Sequence, residues 1–264
     1  MAEVSMAPRR QRGRASASGN ATQKALRVLE AAAAPNGPHR LADIAARAAV
    51  AKPSTHRLLV MLVADGYLTA DGSGRYGVGP RLHAFAAEVS ASGPRDIPQL
   101  LRPLQQAVGG HTVHLAIRSG NHATYVSKID SDQPYQMASR VGMSLPLHCT
   151  AIGKCILAYL PPAELEEVVG QGLPPRTPAT ITDRRCLDAE LAFIRERGYA
   201  VDDEENELTI RCVAAPVFDT ARQPLGGVSV STVTFAVSRE RLESFVPDLL
   251  GTAARVSQAL SRAG

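Results

Sequence analysis

Cationic and hydroxyl side chains begin the leucine-rich segment "KPSTHRLLVMLVADGYL", residues 52–68. At helical spacing the leucines can face a core, which leaves Ser54 and Arg57 together on the outer face. Such groups hydrogen-bond to base edges in the DNA major groove, which a recognition helix enters N-terminal end first. The segment predicts a DNA-reading helix, with Ser54, His56 and Arg57 near bases and Lys52 near phosphate. Plain surface residues are the alternative.

The elements around this segment predict a winged helix-turn-helix. "NATQKALRVLEAAAA" and "RLADIAARAAV" have the apolar spacing of two short helices, and "GYLTADGSGRYGVG" is typical of a β-hairpin with its turn at residues 71–74. Arg75 on the returning strand can reach phosphate or the minor groove, and Lys24 on the first helix can reach phosphate.

The charge distribution also favours a nucleic-acid-binding front end. Residues 1–90 hold 12 Lys and Arg against 6 Asp and Glu, whereas residues 91–264 hold 17 against 19. We expect the arginine-rich residues 1–18 to be a disordered basic tail, either an arm that contacts phosphates or an inert extension. A basic solvated face remains the alternative for the front third as a whole.

Cysteine and histidine residues could carry other chemistry, but their spacing does not favour it. The four cysteines form no CxxC pair, which favours reduced thiols in the cytoplasm over a zinc site. His148 and Cys149 are adjacent and have no identifiable orienting partner, so we expect no catalytic residues and no enzyme. Cys212 is either a redox sensor or a thiol of the pocket or core, and the second is the commoner case.

Metal and membrane binding are not expected. His111 and His114 are oddly spaced for one strand face, and the acidic run 202–206 is either a metal site or, more commonly, a solvated turn. No apolar run approaches the ~20 residues of a membrane span. The basic N-terminus lacks a following apolar stretch, so we expect no secretory signal.

The remaining chain predicts an α+β domain built on an antiparallel sheet. "PRLHAFAAEVSAS" has the spacing of a connecting helix, and "HTVHLAIR" with "ATYVSKID" form a second hairpin. Two more β-rich segments, "TIRCVAAPVFD" and "QPLGGVSVSTVTF", alternate with helical ones. We expect a long terminal helix interrupted at Pro247. The predicted divisions are 19–79 for DNA binding, 80–94 for a linker helix and 95–264 for the second domain.

Five motifs in order resemble the IclR family of bacterial transcription regulators over nearly the whole chain after residue 19. They are "KPSTHRLLVMLVADGYL", "GRYGVGPRL", "LPLHCTAIGKCILAYLP", "RGYAVDDEEN" and "RCVAAPVFD". The resemblance implies a winged helix-turn-helix, a linker helix and a GAF-like effector-binding domain, in a homodimer or homotetramer. It further implies a regulator, more often a repressor, that binds operator DNA under control of a small effector without a cofactor.

The resemblance also implies where the effector binds. The implied pocket residues are Ala151, Ile152, Asp202, Ile210, Cys212, Ser229 and Ser231. Hydroxyls and N–H groups at a helix start suit a carboxylate, so organic or sugar acids are the expected effectors. The chain departs from the family pattern at Thr209, where many members have glycine. We expect that departure to alter the backbone and the pocket shape.

Overall fold

The computed structural model describes residues 20–92 and 97–263, so the expected tail at 1–18 lies outside the described residues. The chain divides into two compact units between residues 91 and 92. Each unit has a core of its own. Helices and antiparallel strands occur in both, and the predicted α+β class is confirmed.

The described residues of the first unit form three helices and a small wing, followed by a fourth helix. Its elements are α1 (Ala21–Ala32), β1 (His39–Arg40), α2 (Leu41–Ala48), α3 (Lys52–Ala64), β2 (Leu68–Ala70), β3 (Arg75–Val78) and α4 (Pro80–Ser92). Asn20 caps α1 through a reciprocal pair of hydrogen bonds with Gln23. Ala49, in the left-handed conformation, ends α2.

The wing is a three-stranded antiparallel sheet in the order β1-β3-β2. The Asp71 carboxylate accepts hydrogen bonds from the backbone N–H groups of Ser73 and Arg75, which builds the predicted turn. The pairing of His39 with Tyr76 adds a strand that the sequence pattern did not predict, because two residues show no periodicity. A Cβ at Gly79 would lie 2.3 Å from the carbonyl oxygen of Gly66, so the close approach there requires glycine.

The second unit places helices on both faces of a six-stranded antiparallel sheet. Its elements are α5 (Ile97–Ala107), β4 (Thr112–Ser119), β5 (His122–Ile129), β6 (Ser144–Pro146), α6 (Ala151–Tyr159), α7 (Pro162–Val169), α8 (Arg184–Arg197), β7 (Ala200–Asp203), β8 (Ile210–Phe218), β9 (Pro224–Val233), α9 (Arg239–Glu243) and α10 (Val246–Ala263). The strand order is β6-β5-β4-β9-β8-β7.

Alternation along the strands gives this sheet two apolar faces. On β4, Val113 and Leu115 pack with α5 and α10, whereas Ala116 packs with α6 and α8. Residues 151–158 of α6 are buried, and Cys155 and Ile156 are fully buried in the second of these clusters. The sheet is therefore covered on both sides, and α6 is fixed against it.

The terminal helical segment differs from its prediction. The break lies between Glu243 and Val246, and Pro247 stands in the first turn of α10. A proline there costs no intrahelical hydrogen bond, since the first N–H groups of a helix have no acceptor within it. The predicted interruption at Pro247 was therefore misplaced by a few residues.

Candidate DNA interface and ligand cavity

Helix α3 exposes the polar residues that the sequence placed on its outer face. Lys52, His56 and Arg57 are exposed and Ser54 is half-buried. Thr55 is fully buried, and its hydroxyl donates to the carbonyl oxygens of Val50 and Ala51. The buried side therefore holds the helix in the core, and its first two turns expose Lys52, His56 and Arg57, with Ser54 partly accessible beside them.

Two further predicted DNA contacts stand on other elements. Arg75 is exposed on β3, and its guanidinium donates to the carbonyl oxygen of Pro38 at 3.3 Å. Lys24 is half-buried on α1. An arginine on a wing beside an exposed helix is placed to contact the phosphate backbone of DNA.

A cavity of about 210 Å³ lies in the second unit, between the sheet and the start of α6. All seven residues that the family resemblance implied line it, from α6, β7, β8 and β9. Additional lining residues are His114, Tyr125, Gln136, Met137, Ala138, Ser139, Met143, Leu145, Thr150, Asn206, Glu207 and Val233. Drug-sized ligand sites commonly enclose about 300–1,000 Å³, so this volume favours a compact ligand.

The start of α6 offers hydrogen-bond donors to this cavity. Thr150 caps the helix: its hydroxyl oxygen accepts from the N–H of Gly153. The N–H groups of Ala151 and Ile152 have no intrahelical acceptor, as in any first turn. A Cβ at Gly153 would lie 2.3 Å from the carbonyl oxygen of Leu147, so glycine lets the helix start approach that loop. Such a helix start favours an anion.

Asp202 contributes a buried carboxylate to the cavity lining. Its Oδ1 accepts from the backbone N–H groups of Glu205 at 2.8 Å and Asn206 at 3.3 Å. Burial, with the nearby negative charge of Glu205, raises the pKa of Asp202 to about 7. The group can therefore hold a proton near neutral pH and act as a hydrogen-bond donor or acceptor.

A line of hydrogen bonds crosses the cavity floor from β8 to β4. The Cys212 thiol donates to Ser231 Oγ at 3.1 Å, and Ser231 Oγ lies 3.4 Å from His114 Nδ1. His114 Nε2 lies 2.8 Å from Ser139 Oγ. The sequence pattern did not identify His114 as a cavity residue, although it is the polar residue among apolar neighbours at positions 113–117 of β4.

The acidic run 202–206 is not the solvated turn that its composition predicted. Asp202 and Glu205 are 3% and 7% exposed. Lys154, 1% exposed on α6, forms an ion pair with Glu205 and lies 3.6 Å from Glu190 on α8. Paired buried charges explain the burial, and they tie the run to α6. Residue composition alone did not indicate this partner.

The thiols beside the cavity are held neutral. Burial raises the pKa of Cys149 to about 12. Burial raises the pKa of Cys212 as well, and the negative charge of Asp202 raises it further. His148 contacts the carbonyl oxygen of Pro174. A neutral thiol is a poor nucleophile, so this geometry gives no support to thiol catalysis or redox sensing.

The described part of the chain comprises residues 20–92 and 97–263. In that part of the chain, no group of three or more His, Cys, Asp or Glu side chains could hold a metal ion. Within the same residues no helix has the length and hydropathy needed to cross a membrane.

An outward-facing helix with a wing, joined in one chain to a domain with a hydrogen-bonding cavity, defines the class of ligand-responsive transcription regulators. The chain belongs to the IclR family of these proteins. Residues 21–72 match the IclR helix-turn-helix domain, and residues 96–258 match the bacterial transcriptional regulator IclR C-terminal domain. The winged helix-turn-helix and effector-domain architecture inferred from the sequence is thereby confirmed.

Relatives cover almost the whole chain. The HTH-type transcriptional regulator XynR of Escherichia coli (strain K12) is 34% identical over 90% of this chain and 96% of its own length. The transcriptional repressor IclR of the same strain is 30% identical over 89% and 88%. The crystal structure of Thermotoga maritima IclR aligns with a TM-score of 0.69 at 34% identity, over 92% of this chain and 99% of that one.

Proposed function

We propose that this IclR-family regulator is a repressor whose operator binding is controlled by a small carboxylate held in the second-unit cavity. The observation that carries the proposal is the cavity lining. It combines the free N–H groups at the start of α6 with Ser229, Ser231 and Asp202. N–H groups suit a carboxylate, and hydroxyls suit the remaining oxygens of an organic or sugar acid. Repression is supported by the relative that is named a repressor.

We propose the DNA contacts on the same physical grounds. Ser54, His56 and Arg57 approach base edges, and Lys52, Arg75 and Lys24 approach phosphates. The exposure of the α3 cations and of Arg75 supports this assignment. A regulator that binds chromosomal DNA acts in the cytoplasm of a bacterium.

The division of labour that we propose follows the sequence boundaries: 19–79 for DNA binding, 80–94 for a linker helix and 95–264 for effector binding. Helix α4 ends at Ser92, and the two compact units divide next to it. These features support the middle segment as a connector.

We propose a homodimer, or a homotetramer built from it. Phe85 and Val89 are 56% and 54% exposed on α4, and they lie one helical turn apart on one face. Exposed apolar residues at this spacing suit pairing with a second copy. A symmetric dimer requires a palindromic operator with half-sites about 34 Å apart or a multiple of it.

Thermal-shift screening of the full chain against organic and sugar acids tests the effector proposal. A ligand at 100 times its dissociation constant stabilises the native state by about 2.7 kcal/mol. We expect a hit whose shift is lost in Ser231→Ala and kept in Ser244→Ala, since Ser244 is exposed directly after α9, outside the cavity lining. Equal shifts in both variants would contradict the site.

An enzyme that uses the first unit as a DNA tether is the competing function. We propose that the chain is not an enzyme, because its neutral buried thiols and the His114 hydrogen-bond line offer no activated nucleophile. Recovery of the bound acid unchanged after prolonged incubation supports this proposal. Conversion of the acid at a rate that depends on protein concentration would overturn it.

A further inference from the structure

The outer wall of the cavity is a segment without helix or strand. Residues 136–139 lie between β5 and β6, and all four of them line the cavity. A segment outside any strand ladder needs other partners to keep one position. The side chains that supply these partners therefore control the width of the cavity.

Lys128 supplies two of these partners. Its ammonium donates to the carbonyl oxygens of Met137 at 3.1 Å and Ser139 at 2.7 Å. It also pairs with the carboxylate of Asp130 at 2.7 Å, and its side chain is only 11% exposed. An ammonium group has three donors, so the two wall carbonyls and this carboxylate use all of them.

A β-bulge directs Lys128 to the cavity side of the sheet. His114 pairs with Lys128 and Ala116 with Tyr125, and the register shifts between Leu115 and Ala116. Directly paired residues share a face, so Lys128 and Tyr125 lie on the same face although they are three positions apart. The skipped residue, Val126, is 47% exposed. The bulge thus places the side chains of Lys128 and Tyr125 together on the cavity side of the sheet.

His114 also contacts the wall, through the side chain of Ser139. Its ring stacks on Tyr125 with centroids 4.3 Å apart, and its Nε2 contacts the Ser139 hydroxyl. Burial, followed by the positive charge of Lys128, lowers the pKa of His114 to about 3. A neutral imidazole donates from one nitrogen and accepts at the other, which matches its contacts with Ser139 and Ser231.

We propose that Lys128 and His114 are positioning residues that clamp the 136–139 wall across the effector cavity and thereby set which size of monocarboxylate it admits. This inference rests on the proposed function for its ligand, whereas the clamp itself is independent of any ligand. A fixed wall discriminates between a compact aliphatic acid and an aromatic one. A released wall discriminates less, because the cavity can then adapt to either.

Limited proteolysis and calorimetry on the full chain test the two halves separately. Lys128→Met removes both carbonyl bonds, and we expect proteolytic cleavage within 136–139 to speed up about tenfold, since a hydrogen bond to a charged group stabilises by at least that factor and cleavage follows the population of the opened segment. With pyruvate and benzoate as probes, we expect the ratio of their dissociation constants to move toward unity by about tenfold. His114→Phe keeps the ring stack, and a smaller change in the same direction is expected.

Arg185→Met is the matched control, because Arg185 is an exposed cation of α8 outside the cavity lining, and its loss leaves Lys128 with all three of its partners. It should change neither readout. Unchanged cleavage of the wall in Lys128→Met overturns the clamp. Faster cleavage with an unchanged pyruvate-to-benzoate ratio overturns the control of selectivity. If neither acid binds the wild-type protein, the carboxylate effector and the selectivity claim both fail, and the proteolysis result still decides the clamp.

Discussion

The backbone N–H of Thr209 donates a hydrogen bond of 2.6 Å to the Glu204 carboxylate, and both residues have positive φ angles, 65° and 62°. They close the turn that carries Asn206 and Glu207, two lining residues of the cavity. Left-handed backbone is costly for a β-branched residue. The departure at Thr209 from the glycine of the family pattern therefore places a strained residue beside the ligand site.

Thr209→Gly should stabilise the second unit. Relief of the left-handed conformation should raise the free energy of unfolding by roughly 1–3 kcal/mol. The extra freedom of glycine in the unfolded chain should lower it by about 0.5–1 kcal/mol. The Thr209 side chain is exposed, so little packing is lost. We expect a net gain of about 1 kcal/mol in urea denaturation, taking the difference between those two terms.

Thr220→Gly is the matched control for this substitution. Thr220 is also an exposed threonine in a turn, and its φ is not positive. Without strain to relieve, only the entropic cost of glycine remains, so this variant should lose about 0.5–1 kcal/mol. Equal losses in the two variants would contradict strain at Thr209.

The stability of the second unit should fall as the pH rises from about 4 to 7. Burial raises the pKa of Asp202 from 3.8 in the unfolded chain to about 7 in the native state. Between those values the native state keeps a proton that the unfolded chain has lost, so the unfolded chain gains relative stability with increasing pH. Above about pH 7 both states are ionised and this contribution levels off.

Asp202→Asn tests whether Asp202 causes this pH dependence of stability. Asparagine keeps the oxygen that accepts from the backbone N–H groups of Glu205 and Asn206, but it cannot ionise. In urea titrations at pH 5 and pH 8, the loss of stability should be smaller in this variant than in the wild-type protein. Glu167→Gln, at an exposed carboxylate of α7, should leave the wild-type difference unchanged. A wild-type difference that persists in Asp202→Asn would assign the effect to another group.

Strong periodicity made the main elements predictable. The apolar spacing of residues 52–68 indicated α3, and the alternation of "HTVHLAIR" and "ATYVSKID" indicated the β4–β5 hairpin. In both cases local pattern and burial agree. The seven cavity residues came from the family resemblance, because residues from α6, β7, β8 and β9 meet only in the folded sheet.

The unassigned residues depend on contacts that no local pattern encodes. Lys128 faces the cavity only because of the bulge between Leu115 and Ala116. Lys154 is an ordinary polar residue in the sequence, and its burial requires Glu205, which follows 51 residues later. Register shifts and distant charge pairs are tertiary properties, so they appear first in the structure.

Phe85→Ser should weaken self-association of the protein. Phe85 is more than half exposed on α4 and carries the largest apolar side chain of the Phe85–Val89 pair. Burying a phenylalanine contributes roughly 1.5–3 kcal/mol per side chain, so the dissociation constant of a dimer paired through α4 should rise at least tenfold. Sedimentation equilibrium measures this change. His83→Ser, at an exposed position off that face, should not alter it, and an unchanged mass in Phe85→Ser would exclude α4 from the interface.

Replacing Arg57 or Lys52 with alanine should change DNA binding in different ways, although both residues are exposed on α3. If Arg57 contacts a guanine edge, Arg57→Ala costs about 1–3 kcal/mol on an operator selected from random duplexes and relaxes the preference at one base pair. If Lys52 contacts phosphate, Lys52→Ala weakens all duplexes similarly and lowers the salt slope by about 1. Arg185→Ala removes an exposed cation from α8 and should change neither. A salt-slope change for Arg57→Ala without altered sequence preference would reassign Arg57 from a base to the backbone, because only base contacts distinguish one sequence from another.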